Sequence, residues 1–220
     1  MPIYQLIPEI VFPPVEEAEE DGLLAIGGDL APERVLYGLS IGIFPWFDEC
    51  EQIMWWTPDP RYVIFPENAK ISKSLKKSNK DFEHKINHDF RAVIKACSGT
   101  FRKGQDGTWI TPGMMNTYTI LHEYGFAMSF ETYYDGKLVG GLYGVRLGGV
   151  FVGESMFSIM TDASKSAYYE LVKYCLEENI VVIDCQFHTK HLESLGGEYI
   201  SREEYSEYLS KFALIQRFDK

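Results

Sequence analysis

Residues 180–184, Ile-Val-Val-Ile-Asp, are apolar at every position up to the closing carboxylate. A strand with one wet face alternates; one that is apolar throughout is covered on both faces and belongs inside a sheet. It follows directly on residues 163–178, where Tyr168, Leu171, Val172, Cys175 and Leu176 share one helical face. That helix must lie across the sheet the strand enters. Upstream, residues 127–134 and 137–145 are β-rich and meet at Asp135-Gly136, a hairpin signal. Residues 149–154 form a third strand. A short helix over 188–195 and a last helix, opened by Ser201 with Glu204 three residues on, close the chain. Strand–strand–strand–helix–strand–helix predicts an α/β (α+β) domain with a mixed sheet.

The first third has a different character. Residues 30–41 read as a helix, with Pro32 near its start and Gly42 just past its end. Phe44-Pro45-Trp46-Phe47 and the run from Trp55 to Arg61 are too broken by proline for long elements. Residues 61–65 suit a strand, 71–79 a short basic helix and 82–86 another strand. Asn87 is placed to cap a helix over 90–97. A polar loop over 98–107 leads to a helix opened by Thr111-Pro112 and closed at Gly125.

At 45% hydrophobic and 24% charged residues, the composition is that of a globular protein. No apolar run approaches the roughly 18 residues of a membrane span. Residues 1–14 lack the basic and apolar regions of a signal peptide, so a cytoplasmic location is expected. Cys50, Cys97, Cys175 and Cys185 form no C-x-x-C pair, and no histidine is spaced with them for zinc; reduced thiols and no metal site are expected. The net charge of −11 argues against coating nucleic acid through general basicity. A local basic patch still acts, since phosphates feel charge over a Debye length of about 8 Å.

In Asp184-Cys185-Gln186, strand alternation puts Asp184 and Gln186 on one face and Cys185 on the other. A carboxylate and an amide so placed can bond to each other and fix the amide; the same residues can instead end a strand and cap the next helix. Gly153-Glu154-Ser155 sets a carboxylate after an apolar strand, where an unpaired charge is costly to bury. A pairing with Lys165 is the structural alternative. Glu154 and Asp184 both fall at strand ends, the edge on which α/β sheets hold ligands. Gly140, Gly141, Gly144, Gly148, Gly149 and Gly153 fit neither the Rossmann nor the P-loop pattern, and turns or bulges account for most of them. Lys73, Lys76, Lys77 and Lys80, with Lys70 before them, fall on or near one helical face, a phosphate-binding pattern or a solvated face. Trp46, Trp55, Trp56, Trp109 and Tyr118 can stack on nucleobases, or form an aromatic core, the reading that suits Trp55 and Trp56.

Seven segments together resemble the leucyl/phenylalanyl-tRNA–protein transferase family. They are G-L-L-A-I-G-G-D-L at 22–30, G-I-F-P-W-F at 42–47, W-W-T-P-D-P-R at 55–61, G-T-W-I-T at 107–111, G-E-S-M-F-S at 153–158, D-C-Q at 184–186 and S-L-G at 194–196. They run in the family's order over nearly the whole chain. The resemblance implies a small N-terminal domain, set here at 1–62, and a C-terminal acetyltransferase-like (GNAT-like) domain at 63–220. It implies no metal and no cofactor. The substrates would be aminoacyl-tRNA carrying Leu or Phe, less well Met, and proteins with N-terminal Arg or Lys. The product would be marked for degradation by the N-end rule pathway. A monomer with no membrane partner is expected. By position, Asp184 and Gln186 match the pair proposed to assist peptide-bond formation, and Glu154 the acidic residue of the reaction centre. Trp46, Trp109 and Tyr118 match residues near the terminal adenosine and aminoacyl group. Leu142 falls where the apolar pocket can carry Met, with Gly153 and Ile183 grouped beside it. Lys73, Lys76, Lys77 and Lys80 lie in the tRNA-contacting segment, where Lys replaces some Arg, keeping charge and losing bidentate geometry.

An aminoacyl ester is already activated, so the catalyst needs mainly to align it with a neutral amine. The expected arrangement has Asp184 orienting Gln186, whose carbonyl oxygen accepts from the attacking amine. Two rivals stand beside it. An acyl-CoA-dependent transferase needs a pyrophosphate loop entering a helix; Arg146-Leu147-Gly148-Gly149 comes closest but runs into a strand. A bare RNA-binding module would leave Glu154, Asp184 and Gln186 without a purpose.

Overall fold

The computed structural model describes residues 3–99 and 108–213. Nearly all of the loop expected over 98–107, and Gly107 of the fourth family-like segment, lie outside them. The smaller of two sheets takes β1 (Tyr4–Leu6), β2 (Leu23–Gly27), β3 (Phe44–Pro45) and β4 (Met54–Trp56), in the order β1-β2-β4-β3. Its strands are five residues or fewer, too short for periodicity to mark, and the sequence reading placed none there. Helix α1 (Pro32–Ser40) packs beside them. Its Arg34 is fully buried and donates to the carbonyls of Ile7, Pro8 and Glu9 and to Asp29, tying down the irregular N-terminal segment.

The larger sheet holds β5 (Arg61–Ile64), β6 (Glu83–Ile86), β7 (Ala127–Tyr134), β8 (Lys137–Leu147), β9 (Val150–Ser158), β10 (Val182–Gln186) and β11 (Glu198–Ile200). Their order is β11-β5-β10-β9-β8-β7-β6, so β10 is interior, as its apolar run predicts. It pairs parallel with β9; every other pair in this sheet is antiparallel. The mixed α/β sheet is therefore as read. Between β9 and β10 the chain crosses over as α5 (Ala163–Glu177), the connection a parallel pair requires. Helices α2 (Lys73–Ser78), α3 (Phe90–Ser98), α4 (Pro112–Glu123), α6 (Lys190–Ser194) and α7 (Arg202–Phe212) complete the described chain.

Alternating side chains split the core into two layers. Ile64, Phe130, Leu142, Phe151 and Ile183 point towards Tyr168, Leu171 and Cys175 of α5. Val63, Tyr143, Val145, Val152 and Val182 point to the opposite layer, which holds α3, α4, α1 and the small sheet with Trp55. The N-terminal elements thus share one continuous core with one face of the large sheet. Gly140 makes the α5 contact possible: a Cβ there would come within 2.6 Å of Ala163.

Several local expectations shift. Asp89, not Asn87, caps α3 by accepting from the Ala92 amide; Asn87 sits at φ +56° and accepts from the Ser129 amide instead. The helix expected over 188–195 begins only at Lys190, because Thr189 caps it. Leu176 is 54% exposed, so the buried face of α5 ends at Cys175. The strand expected to stop at Glu154 continues to Ser158, because β8 remains paired with it as far as Gly140 opposite Ser158.

Candidate active site

The parallel ladder between β9 and β10 runs from Val150 opposite Val182 to Val152 opposite Asp184 and then stops. Immediately beyond, each strand carries a bulge against its outer neighbour. On β9, Gly153 faces Gly144 and Ser155 faces Tyr143, leaving Glu154 as the extra residue. On β10, Asp184 faces Val63 and Gln186 faces Tyr62, leaving Cys185 as the extra residue. Bulges bend a strand and re-aim its side chains. A cleft of about 270 Å³ opens here, lined by Leu142, Met156, Tyr168, Leu171, Ile183 and Cys185 among others. It adjoins a second space of about 250 Å³ walled by Phe44, Pro45 and Trp46. Trp109, Glu154, Gln186, Phe187 and Thr189 border both.

The two carboxylates behave differently. Asp184 is fully buried and saturated. Arg61 grips it in two-pronged fashion, Nε to Oδ1 at 2.8 Å and Nη2 to Oδ2 at 2.7 Å. The Tyr205 hydroxyl donates to Oδ2 at 2.9 Å, and the Gln186 backbone N–H donates to Oδ1 at 2.9 Å. Arg61 lies between the rings of Phe44 and Tyr205, and its Nη1 donates to the Gly42 carbonyl. The expected bond from Asp184 to the Gln186 amide is therefore absent. The carboxylate holds the Gln186 backbone, which sits at φ +65°, a strained conformation for a side-chain-bearing residue. This left-handed residue and the bulge break strand alternation, so Cys185 does not turn away from Gln186: both line the cleft while Asp184 lies beneath.

Glu154 is buried and, among the described residues, has no ion pair and no hydrogen-bond partner for its Oε1. The Tyr118 hydroxyl and Gln186 Nε2 are likewise unpartnered. Burial raises the Glu154 carboxyl from 4.5 to about 7; the facing Tyr118 hydroxyl opposes the rise, the Asp184 charge adds to it, and the Gln186 amide and Arg61 oppose it. The pairing with Lys165 does not form, as Lys165 lies 3.7 Å from Asp162. A buried carboxyl that titrates near neutrality, flanked by an unused phenol and amide, suits proton exchange. The Arg146 segment forms the β8–β9 turn, and Arg146 is bound to Tyr174 and Glu178 rather than set at a helix N-terminus.

A family model described as leucyl/phenylalanyl-tRNA protein transferase matches residues 63–210, and the model of that family's N-terminal domain matches 28–59. The chain belongs to the leucyl/phenylalanyl-tRNA–protein transferase family. The transferase is 52% identical over 200 residues to the leucyl/phenylalanyl-tRNA–protein transferase of Chromobacterium violaceum, covering 89% of this chain and 85% of that one. It is 50% identical over 209 residues to the one of Flavobacterium johnsoniae, covering 94% and 99%. Among solved structures, a GCN5-related N-acetyltransferase-like protein from Streptococcus suis aligns over 73% of this chain and 60% of its own, with 14% identity and a TM-score of 0.38.

The transferase brings most of the residues singled out from sequence into one place. Glu154 and Gln186 border both spaces; Leu142, Gly153 and Ile183 line the apolar one. Trp46 walls the aromatic one, 36% exposed and 5.3 Å from the Phe187 ring, and Trp109 borders both. Tyr118 lines neither, standing fully buried behind Glu154. Trp55 is core, its indole N–H on the Gly27 carbonyl. Lys73, Lys76 and Lys77 lie exposed on α2, which has only six residues. Lys80, also exposed, falls in the 3-10 turn Asn79–Asp81 that follows, so the single helical face does not extend to it. The segment is tied to the end of α6 and to the core: the Lys70 amide donates to the Leu195 carbonyl, and Ile71 packs on the layer containing Leu142 and Ile183. Sequence reasoning missed Arg61, Tyr205 and Phe187 as site residues. Arg61 stands in one of the family-like segments, yet 123 positions separate it from its partner. Among the described residues no helix is long and apolar enough to cross a membrane.

Proposed function

We propose that this transferase moves Leu or Phe, and less well Met, from aminoacyl-tRNA to the N-terminal α-amine of proteins beginning with Arg or Lys, marking them for degradation. The observation that supports this reading is the meeting of an apolar cleft and an aromatic one at Glu154 and Gln186. The aminoacyl side chain would enter the space of Leu142, Met156 and Ile183, and the terminal adenosine would stack between Trp46, Trp109 and Phe187. The exposed lysines at 73, 76, 77 and 80 would meet tRNA phosphates. The division at residue 62 belongs to the same reading; the small sheet ends at Trp56, and the boundary falls inside β5, whose first two residues, Arg61 and Tyr62, already pair in the large sheet.

In the reaction the acceptor nitrogen attacks the ester carbonyl, a C–N bond forms, and the ester C–O bond breaks. The ribose oxygen leaves carrying the proton the amine gives up. A free α-amine has a pKa of about 7.7–8.0, so part of it is neutral at pH 7. Gln186 accepts a hydrogen bond from that amine and Glu154 relays its proton. Alignment of well-placed reactants supplies about 7–11 kcal/mol, and no further activation of the ester is needed. Apolar pockets separate homologous side chains by only about 1–3 kcal/mol, which leaves room for Met. The acidic surface steers basic N-termini.

The test is transfer from labelled leucyl-tRNA to a peptide starting with Arg beside one starting with Ala, with acetyl-CoA as an alternative donor. Label is expected on the Arg peptide alone. Acetyl transfer without leucyl transfer would overturn the reading.

A further inference from the structure

Three polar side chains at the cleft have a task. Glu154 and Gln186 face the reacting centre, and Thr189 caps α6 by accepting from the Leu192 amide. His191 has none. It lines the apolar cleft, yet its Nε2 is shielded from solvent and has no hydrogen-bond partner among the described residues. Burial, and then the charge of Lys165, lower its pKa, so the ring is neutral at physiological pH. An unpaired buried nitrogen of this kind destabilises the free protein, and the loss is recovered when a ligand group meets it.

The choice of ligand group follows from position. His191 borders the apolar cleft and not the aromatic one, which sets it apart from the adenosine. A leucine or phenylalanine side chain offers it no polar atom, and the proposed reaction sets the α-amine and ester carbonyl of the aminoacyl group at Glu154 and Gln186. The remaining substrate is the acceptor. We infer that His191 is a positioning residue for the acceptor peptide, its Nε2, shielded in the free protein, being uncovered by a turn of the imidazole to bond a main-chain peptide group beside the attacking amine. A peptide group carries both an N–H and a C=O, so it satisfies the imidazole in either tautomer. The end of α6 is well anchored for this task, because the Leu195 carbonyl accepts both the Tyr168 hydroxyl and the Lys70 amide. A main-chain contact also serves acceptors with N-terminal Arg and Lys equally.

This assignment rests on the proposed transfer reaction, and its test keeps the two apart. The full-length enzyme, His191→Ala and His191→Gln are assayed with leucyl-tRNA and with peptides beginning with Arg and with Lys; melting curves compare their folding. The expected result for His191→Ala is a peptide KM about fivefold to tenfold higher for both peptides, with the leucyl-tRNA KM unchanged. His191→Gln, which restores a donor and an acceptor, recovers most of the loss. A wild-type enzyme that turns over, together with an unchanged peptide KM in His191→Ala, removes His191 and leaves the reaction standing. A rise in the leucyl-tRNA KM instead moves the residue to the donor side and overturns the assignment.

Discussion

Asp184 and Glu154 stand on neighbouring parallel strands, both buried; Glu154 borders the cleft and Asp184 lies beneath it. The Asp184 side is closed: Arg61, Tyr205 and a backbone amide fill its acceptor positions. The Glu154 side is open: among the described residues no cation pairs with it and its Oε1 has no partner, while the Tyr118 phenol and Gln186 amide face it and hold down the rise in its pKa. A saturated carboxylate fixes backbone, whereas a desolvated one with free neighbours is ready to exchange a proton. The catalytic pair read from sequence therefore divides: Gln186 stays with Glu154 at the reacting atoms, and Asp184 becomes the residue that positions it.

The strongest challenge to this division is Arg61→Met. It leaves the Asp184 charge buried without its partner, a loss of about 3–5 kcal/mol, to be read from urea unfolding. A loss below about 1 kcal/mol would mean that the closed side does not depend on the ion pair.

Glu154→Gln acts on the open side and in the opposite direction. Wild-type Glu154 titrates at about 7 when folded against 4.5 when unfolded, so the folded state binds the extra proton between those values. Stability therefore falls as pH rises from 4.5 to 7, by about 3 kcal/mol in all, and stays lowered above that range. The variant should be more stable than wild type by up to that amount at pH 8, and by little near pH 4. Its transfer rate should drop about 10²- to 10⁴-fold, with the wild-type pH dependence near 7 lost. A gain confined to acid pH would reverse the assignment.

Tyr205→Phe is the mildest probe. It removes one hydrogen bond from a charge that Arg61 still neutralises, for a loss of about 1.5 kcal/mol. Thermal melting should show it with the leucyl-tRNA KM unchanged.

Part of this site was visible in the residues alone. Glu154, Gln186 and Trp46 entered through motifs, Leu142 through its position in the family resemblance, and the interior place of β10 through its unbroken apolar run. The geometry around Gln186 was not visible, because alternation assumes an unbroken strand, and one extra residue at Cys185 cancels it. The small sheet escaped for a related reason: two to five residues carry too little pattern to count.

By itself the sequence determined the crossover β9–α5–β10, the hairpin at Asp135-Gly136 and the family to which the chain belongs. Each is written in local order, as helical period, strand run or contiguous motif. Only the tertiary structure decided which carboxylate would be quenched. That depends on β5 pairing antiparallel with β10, which carries Arg61 to Asp184 across 123 residues, and on α7 bringing Tyr205 to the same place. A local pattern fixes the face on which a side chain stands; which partner waits there is set by the order in which distant strands assemble.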